Sequence, residues 1–269
     1  MSRSDRRLPR TRARGRRALR RGHRRTRPLP RNAGDPVTRR PRRTLVWLEP
    51  EGDPQAFPAA ECALDEPPGL LAAGGDLRPE RLLAAYRRGI FPWYSPGQPI
   101  LWWCPDPREV LLPAEFRRSR SLGKRERNAG FEVRENTAFA AVIEACAAPR
   151  EIDGGGTWIT VEMRDAYLEL HRLGFAHSIE TWRHDELVGG LYGVKLGRVF
   201  FGESMFSRES DASKVALSGL IRRAAAHGIE LIDCQMPTRH LGSLGSRPMP
   251  RSEFLPLLAR LIDSREGFG

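Results

Sequence analysis

Three polar side chains lie in segments that favour β-strands, and their spacing could place them in one site. Glu203 follows the apolar run Val199–Gly202, and a carboxylate there is costly to bury without a partner. Asp233 and Gln235 are two apart in Leu231–Gln235, so on a regular strand both side chains point to one face. These residues indicate either a binding cleft built on a sheet or structural contacts, namely a salt bridge of Glu203 and a hydrogen-bonded Asp233/Gln235 pair.

The elements that must position these residues can be read from periodicity. Apolar residues recur at helical spacing in 139–146 and 163–170, and a further helix begins near Pro79 and ends at Gly89. Strand patterns lie at 177–183, 187–194, 198–206 and 230–235, with a helix at 212–227 between the last two. The order predicts an α+β fold with a small N-terminal α/β subdomain at 44–108 and a larger domain at 109–269.

The net charge of +12 is concentrated in the first 43 residues. They contain 18 arginines and two aspartates, whereas the remaining residues contain 27 basic and 31 acidic side chains. This composition predicts a disordered Arg-rich extension at 1–43. The extension could bind RNA phosphates, be a solvated segment without a role, or result from a start site assigned too early.

Other features narrow the class of protein. No apolar run has the length of a membrane span, and four widely spaced cysteines suit a reducing cytoplasm. The histidines lack metal-site spacing, so we predict no metal. A basic stretch that includes Arg120, Lys124 and Arg125 predicts either a phosphate-binding patch or an ordinary solvated face.

An ordered set of motifs runs from about Leu64 to Phe254. The motifs are Glu66–Leu77, Gly89–Trp93, Leu101–Arg108, Gly156–Ile159, Ala176–Glu180, Leu187–Ser207, Asp211–Lys214, Leu231–Gln235 and His240–Gly245. In content and order they resemble the leucyl/phenylalanyl-tRNA–protein transferases.

The resemblance implies a function and a fold. The chain would move leucine or phenylalanine, and possibly methionine, from aminoacyl-tRNA to the α-amine of proteins with an N-terminal arginine or lysine. Such proteins would thereby be marked for N-terminus-dependent degradation. The resemblance also implies a C-terminal domain like the GNAT N-acetyltransferases, acting in the cytoplasm as a monomer without a cofactor. The pyrophosphate loop that binds acyl-CoA in that fold is missing from this sequence, which favours another acyl donor.

Two other functions stay open. The chain could be a non-catalytic RNA-binding module that relies on its arginine-rich extension. It could also be an aminoacyltransferase that uses charged tRNA but acts on a cell-wall precursor.

The resemblance also assigns residues. It implies that Asp233 and Gln235 are catalytic, and that Glu203 accepts a hydrogen bond from the α-ammonium of the donor. A neutral amide is a very weak base and would be poor at accepting a proton from the amine. We therefore predict that Gln235 orients the acceptor amine and that Asp233 holds Gln235. The implied substrate contacts are Leu191, Phe200, Leu220, Trp93, Trp158 and Tyr167, the two tryptophans being platforms for the terminal adenine. The implied tRNA contacts are Arg120, Lys124 and Arg125.

Overall fold

A computed structural model describes residues 44–148 and 159–263, and within them the strands form two sheets. The first is four-stranded, with the order β1-β2-β4-β3. Its strands are β1 (Val46–Leu48), β2 (Leu70–Gly74), β3 (Phe91–Pro92) and β4 (Leu101–Trp103). Helix α1 (Pro79–Arg87) connects β2 to β3; it has proline in its first turn, and Gly89 follows its end with a φ of +69°. This helix agrees with the one predicted from Pro79 to Gly89.

The second sheet has seven strands in the order β11-β5-β10-β9-β8-β7-β6. They are β5 (Arg108–Leu111), β6 (Glu132–Glu135), β7 (Ala176–Arg183), β8 (Glu186–Leu196), β9 (Val199–Ser207), β10 (Leu231–Gln235) and β11 (Arg247–Met249). Strands β7, β8 and β9 form an antiparallel meander, whereas β10 runs parallel to β9. The tight turn between β8 and β9 contains Gly197 at φ +52°, where a Cβ would approach the Leu261 carbonyl oxygen to 2.5 Å.

The remaining helices complete an α+β fold, which confirms the predicted class. They are α2 (Arg120–Asn128), α3 (Phe139–Ala147), α4 (Val161–Arg172), α5 (Ala212–Arg223), α6 (Arg239–Ser243) and α7 (Arg251–Asp263). Helix α5 is shorter than the predicted 212–227. It ends at Arg223 because the Ile229 N–H bonds the Ala224 carbonyl across a turn that closes at Gly228, whose φ is +62°.

Apolar side chains on the two faces of the seven-stranded sheet form two separate clusters. On β9, Phe200 belongs to the cluster that contains residues of α5, whereas Phe201 belongs to the one that contains residues of α1, α4 and α7. This follows from strand geometry, since consecutive side chains point to opposite faces.

Strands β9 and β10 stop pairing beyond Asp233. The parallel register joins Val199–Phe201 to Leu231–Asp233, while β9 continues to Ser207 alongside β8. A gap therefore begins in the sheet next to Glu203 and Gln235.

Two sequence predictions fall outside the described residues, namely the extension at 1–43 and Trp158. The division at residue 108 between a small subdomain and a larger domain stays a prediction. None of the helices in 44–148 or 159–263 combines the length and apolar character that crossing a membrane requires.

Candidate active site

A chain of hydrogen bonds meets at Glu203, where β9 and β10 separate. The Tyr167 hydroxyl donates to Oε2 of Glu203 at 2.8 Å, and Nε2 of Gln235 donates to Oε1 at 2.8 Å. The Tyr86 hydroxyl in turn bonds the Tyr167 hydroxyl. All four side chains are buried. Helices α1 and α4 and strands β9 and β10 each contribute one of them to the same polar cluster.

Glu203 has an unusual environment for a carboxylate. Its two oxygens bond a phenol and an amide rather than a cation, so the salt bridge considered from sequence is not formed at these oxygens. Burial raises the pKa of Glu203 to about 7, while the polar groups of Tyr167, Tyr86 and Gln235 oppose this rise by favouring the ionised form. Burial and the charge of Glu203 raise the pKa of Tyr167 well above its usual value, so this phenol stays protonated and donates.

Asp233 lies beside this cluster in a buried ion pair with Arg108 of β5. Nε and Nη2 of Arg108 donate to Oδ1 and Oδ2 of Asp233 at 2.8 and 2.7 Å, and both side chains are 0% exposed. The guanidinium carbon lies 4.6 Å from the ring centre of Phe91 and 5.0 Å from that of Phe254. This two-point geometry fixes the orientation of the Asp233 carboxylate.

The structure links Asp233 to Gln235, but through an irregular strand rather than the regular one assumed from sequence. The register against β5 shifts between the two residues, and Gln235 has a φ of +62°. The backbone N–H of Gln235 donates to Oδ1 of Asp233 at 2.9 Å, while its side chain reaches Glu203. Asp233 therefore contacts the main chain of Gln235 and not its carboxamide.

The apolar residues assigned to the substrate pocket lie in the cluster beneath α5. Leu191, Phe200 and Leu220 are 2–3% exposed in that cluster, on the sheet face opposite to Tyr167. Phe200 and Leu220 also line a cavity of about 140 Å³, together with Ile179. The three residues therefore lie together, but on the opposite face of the sheet from the Glu203 cluster.

Trp93 and the basic residues lie at the surface. The Trp93 side chain is 42% exposed, and its ring packs 5.6 Å from that of Trp103. Arg120 and Lys124 are exposed and four residues apart on α2, so they share a helix face. Arg125 is half-buried, and its guanidinium lies over the ring of Phe131 and near Glu209.

Sequence reasoning missed Arg108, Tyr86 and Tyr192. Arg108 ends the motif Leu101–Arg108, but nothing in the spacing joins it to a residue 125 positions later. Tyr86 fits the apolar face of a helix, and only the fold reveals its hydroxyl contact. The hydroxyl of Tyr192 is buried and has no hydrogen-bond partner among the described residues, and its ring packs edge-on against Tyr167 at 5.5 Å.

Comparisons with known proteins show the family to which the chain belongs. The family model described as leucyl/phenylalanyl-tRNA protein transferase matches residues 110–259, and that of its N-terminal domain matches 75–106. A leucyl/phenylalanyl-tRNA–protein transferase of Stutzerimonas stutzeri is 58% identical over 81% of this chain and 96% of its own length. The protein of the same name from Azoarcus sp. is 64% identical over 80% of this chain and 90% of its own length.

The solved structures that the comparison found are much more distant in sequence. FemX is 11% identical with a TM-score of 0.42, over 67% of this chain and 71% of that chain. A GCN5-related N-acetyltransferase from Kribbella flavida is 11% identical with a TM-score of 0.34, over 64% of this chain and 61% of that one.

The matched family models and the sequence identities show that the chain is an aminoacyltransferase. More specifically, the chain belongs to the leucyl/phenylalanyl-tRNA–protein transferase family.

Proposed function

We propose that this chain transfers leucine or phenylalanine from aminoacyl-tRNA to the α-amine of proteins whose first residue is arginine or lysine. It does so as a cytoplasmic monomer and thereby marks those proteins for degradation. The observation that carries the proposal is the bond between Gln235 and Glu203 at the gap between β9 and β10, because it fixes the polar groups that meet both substrates.

The reaction requires alignment more than chemical activation. The donor is already an ester, and an α-amine with a pKa near 7.7–8.0 is partly neutral at pH 7. The amine nitrogen attacks the ester carbonyl carbon, an amide bond forms, and the ester oxygen leaves with the tRNA. The amine loses a proton and the leaving oxygen gains one, so no net acid or base is consumed. Holding the substrates in attack geometry contributes roughly 7–11 kcal/mol.

Gln235 is oriented to receive the acceptor amine. Because its Nε2 donates to Glu203, the carboxamide is fixed with its oxygen directed away from that carboxylate. This oxygen accepts a hydrogen bond from the amine and turns the nitrogen lone pair toward the ester.

Glu203 is suited to hold the α-ammonium of the donor. A carboxyl with a pKa of about 7 is partly protonated at neutral pH, and a cation beside it favours its ionised form. Tyr167 holds the carboxylate in place through its 2.8 Å bond.

We place the donor at the gap between β9 and β10, where the pairing of the two strands ends. A donor lying there meets Glu203 on one face and the apolar cluster beneath α5 on the other. Leu191, Phe200 and Leu220 in that cluster would contact the leucine or phenylalanine side chain. We assign Trp93 and Trp158 to the terminal adenine, and Arg120, Lys124 and Arg125 to the tRNA phosphates.

The test uses labelled leucyl-tRNA and peptides that differ only in an N-terminal Arg, Lys or Ala. We expect label on the Arg and Lys peptides alone. The variant Gln235→Ala should lose transfer, whereas Gln55→Ala, at an exposed position, should retain it. Retained tRNA binding without label on any peptide would instead favour the RNA-binding module, or an acceptor amine on a cell-wall precursor.

A further inference from the structure

Asp233 is enclosed in a way that prevents it from acting on a substrate directly. Both of its carboxylate oxygens accept hydrogen bonds from Arg108, and both residues are fully buried. The rings of Phe91 and Phe254 lie against the guanidinium and help to shield it from solvent. An acceptor amine therefore has no open path to the Asp233 carboxylate.

The remaining contact of Asp233 leads to Gln235. Its Oδ1 also accepts the backbone N–H of Gln235, at the point where the register of β10 shifts. Gln235 adopts a left-handed conformation there, which residues other than glycine rarely adopt. Its side chain can then reach Glu203, 32 residues away in sequence. The orientation of the carboxamide thus depends on a backbone conformation that Asp233 stabilises.

We propose that Arg108 and Asp233 act together as a positioning unit for Gln235, and that neither exchanges a proton with the substrates. Arg108 is then a positioning residue of the transfer reaction, which no sequence motif assigned. Arg108 fixes the carboxylate, the carboxylate fixes the Gln235 backbone, and the backbone directs the carboxamide to Glu203. This inference rests on the proposed function, because the reaction supplies the reason for holding Gln235.

The decisive variant replaces both members of the pair, Arg108→Met with Asp233→Leu. Apolar side chains of similar volume remove a buried ion pair without leaving one charge unpaired, so folding is expected to survive. The Gln235 N–H loses its acceptor. We expect kcat to fall roughly 100-fold, since a small misplacement of a reacting group has an effect of that size. The KM values for leucyl-tRNA and for the Arg peptide should stay within about threefold.

A second pair of variants separates positioning from stability. Arg108→Lys keeps the charge but cannot form the two-point contact. Arg81→Lys is the matched control, because Arg81 is also buried and pairs with Asp76, but in the N-terminal sheet region. Both substitutions should lower the thermal midpoint, whereas only Arg108→Lys should lower kcat, measured at a temperature where all the proteins are folded.

Hydrogen exchange of the wild-type protein tests the hydrogen bond of the Gln235 backbone amide without any variant. The Gln235 backbone amide should exchange slowly because it is bonded to a buried carboxylate, and exchange as fast as that of an exposed loop amide would overturn the inference. So would a folded double variant, or Arg108→Lys, with kcat within about threefold of wild type. If wild-type protein transfers no label at all, the proposed function fails instead, and the two failures are thereby distinguished.

Discussion

Glu180 and Glu203 are both buried carboxylates on the seven-stranded sheet, with exposures of 0% and 8%, but their partners differ. Glu180 accepts hydrogen bonds from the backbone N–H groups of Thr137 and Ala138 and from the hydroxyls of Thr137 and Ser178. These backbone groups immediately precede α3, so the carboxylate also lies at the positive end of a helix dipole. The hydrogen-bonding capacity of the Glu180 carboxylate is thus satisfied by groups of the protein itself.

Glu203 has fewer donors and no helix N-terminus among its hydrogen-bond partners. One phenol and one amide bond its two oxygens, and burial raises its pKa to about 7. The comparison teaches that burial does not by itself identify a functional carboxylate. We expect the number of donors that the protein supplies to distinguish a carboxylate that completes the fold from one that meets a charged substrate.

The largest expected effect concerns activity at Glu203. Replacing Glu203 by alanine should lower kcat/KM about 100- to 1,000-fold, because the donor ammonium loses its partner, a loss of about 3–4 kcal/mol. The free energy of unfolding should change little, because removal of a poorly solvated carboxyl offsets the loss of the acceptor for the Tyr167 hydroxyl and the Gln235 amide. Single-turnover transfer from labelled leucyl-tRNA to an Arg peptide, together with urea unfolding, measures both quantities.

The matched control is Glu180→Ala, which should give the opposite pattern. It leaves the donors of Thr137 and Ala138 buried without an acceptor and should lower the free energy of unfolding by about 1–3 kcal/mol. The rate constant for transfer by the folded fraction should stay within about threefold of wild type. If both variants lost activity equally while remaining folded, the distinction between the two carboxylates would be wrong.

The second effect is a dependence of stability on pH. The native pKa of Glu203 is about 7 and its ordinary value is 4.5, so the native protein holds a proton that the unfolded chain releases between these pH values. The contribution of Glu203 to stability is therefore present below about pH 4.5 and lost as pH rises through 7, an effect of about 3 kcal/mol. Urea unfolding at pH 5, 6, 7 and 8 measures it.

Glu203→Gln isolates this contribution from those of other groups. The half-buried His177 and His240 have lowered pKa values, which produce a dependence of the opposite sign. The contributions of the histidines cancel in the difference between the free energies of unfolding of wild type and Glu203→Gln. The variant should therefore become more stable relative to wild type as pH rises from 5 to 8. A difference that is constant with pH would contradict the assignment.

The smallest expected effect concerns Tyr86. Its hydroxyl bonds Tyr167 and, with it, favours the ionised form of Glu203. Tyr86→Phe should lower the free energy of unfolding by about 1 kcal/mol and move the Glu203 midpoint to a pH above 7. The midpoint is followed by the carboxyl ¹³C chemical shift of labelled glutamate, with Tyr94→Phe as a control outside the cluster. A midpoint that moves down would contradict this arrangement.

Much of the fold could be predicted because its signals are local. Periodicity located helices α3 and α4, and the alternating strands of the meander lie within a few residues of their predicted ends. Helix α5 ended early because a turn at residues 224–228 replaces its last predicted turn, and this closure depends on backbone bonds that composition does not reveal. The candidate site could be predicted only in part. Glu203, Asp233 and Gln235 are polar residues in apolar strands, whereas Arg108 and Tyr86 carry no such contrast with their neighbours.

The sequence by itself determined the α+β class, the family resemblance and the polar residues of the site, because each depends on residue types at short and ordered spacings. The tertiary structure alone decided which groups meet. It joined Arg108 to Asp233 across 125 positions and Tyr167 to Glu203 across 36. It also introduced the left-handed backbone at Gln235 that breaks the regular alternation of β10. These contacts depend on the order of the strands in the sheet, which brings distant segments together and which no local pattern specifies.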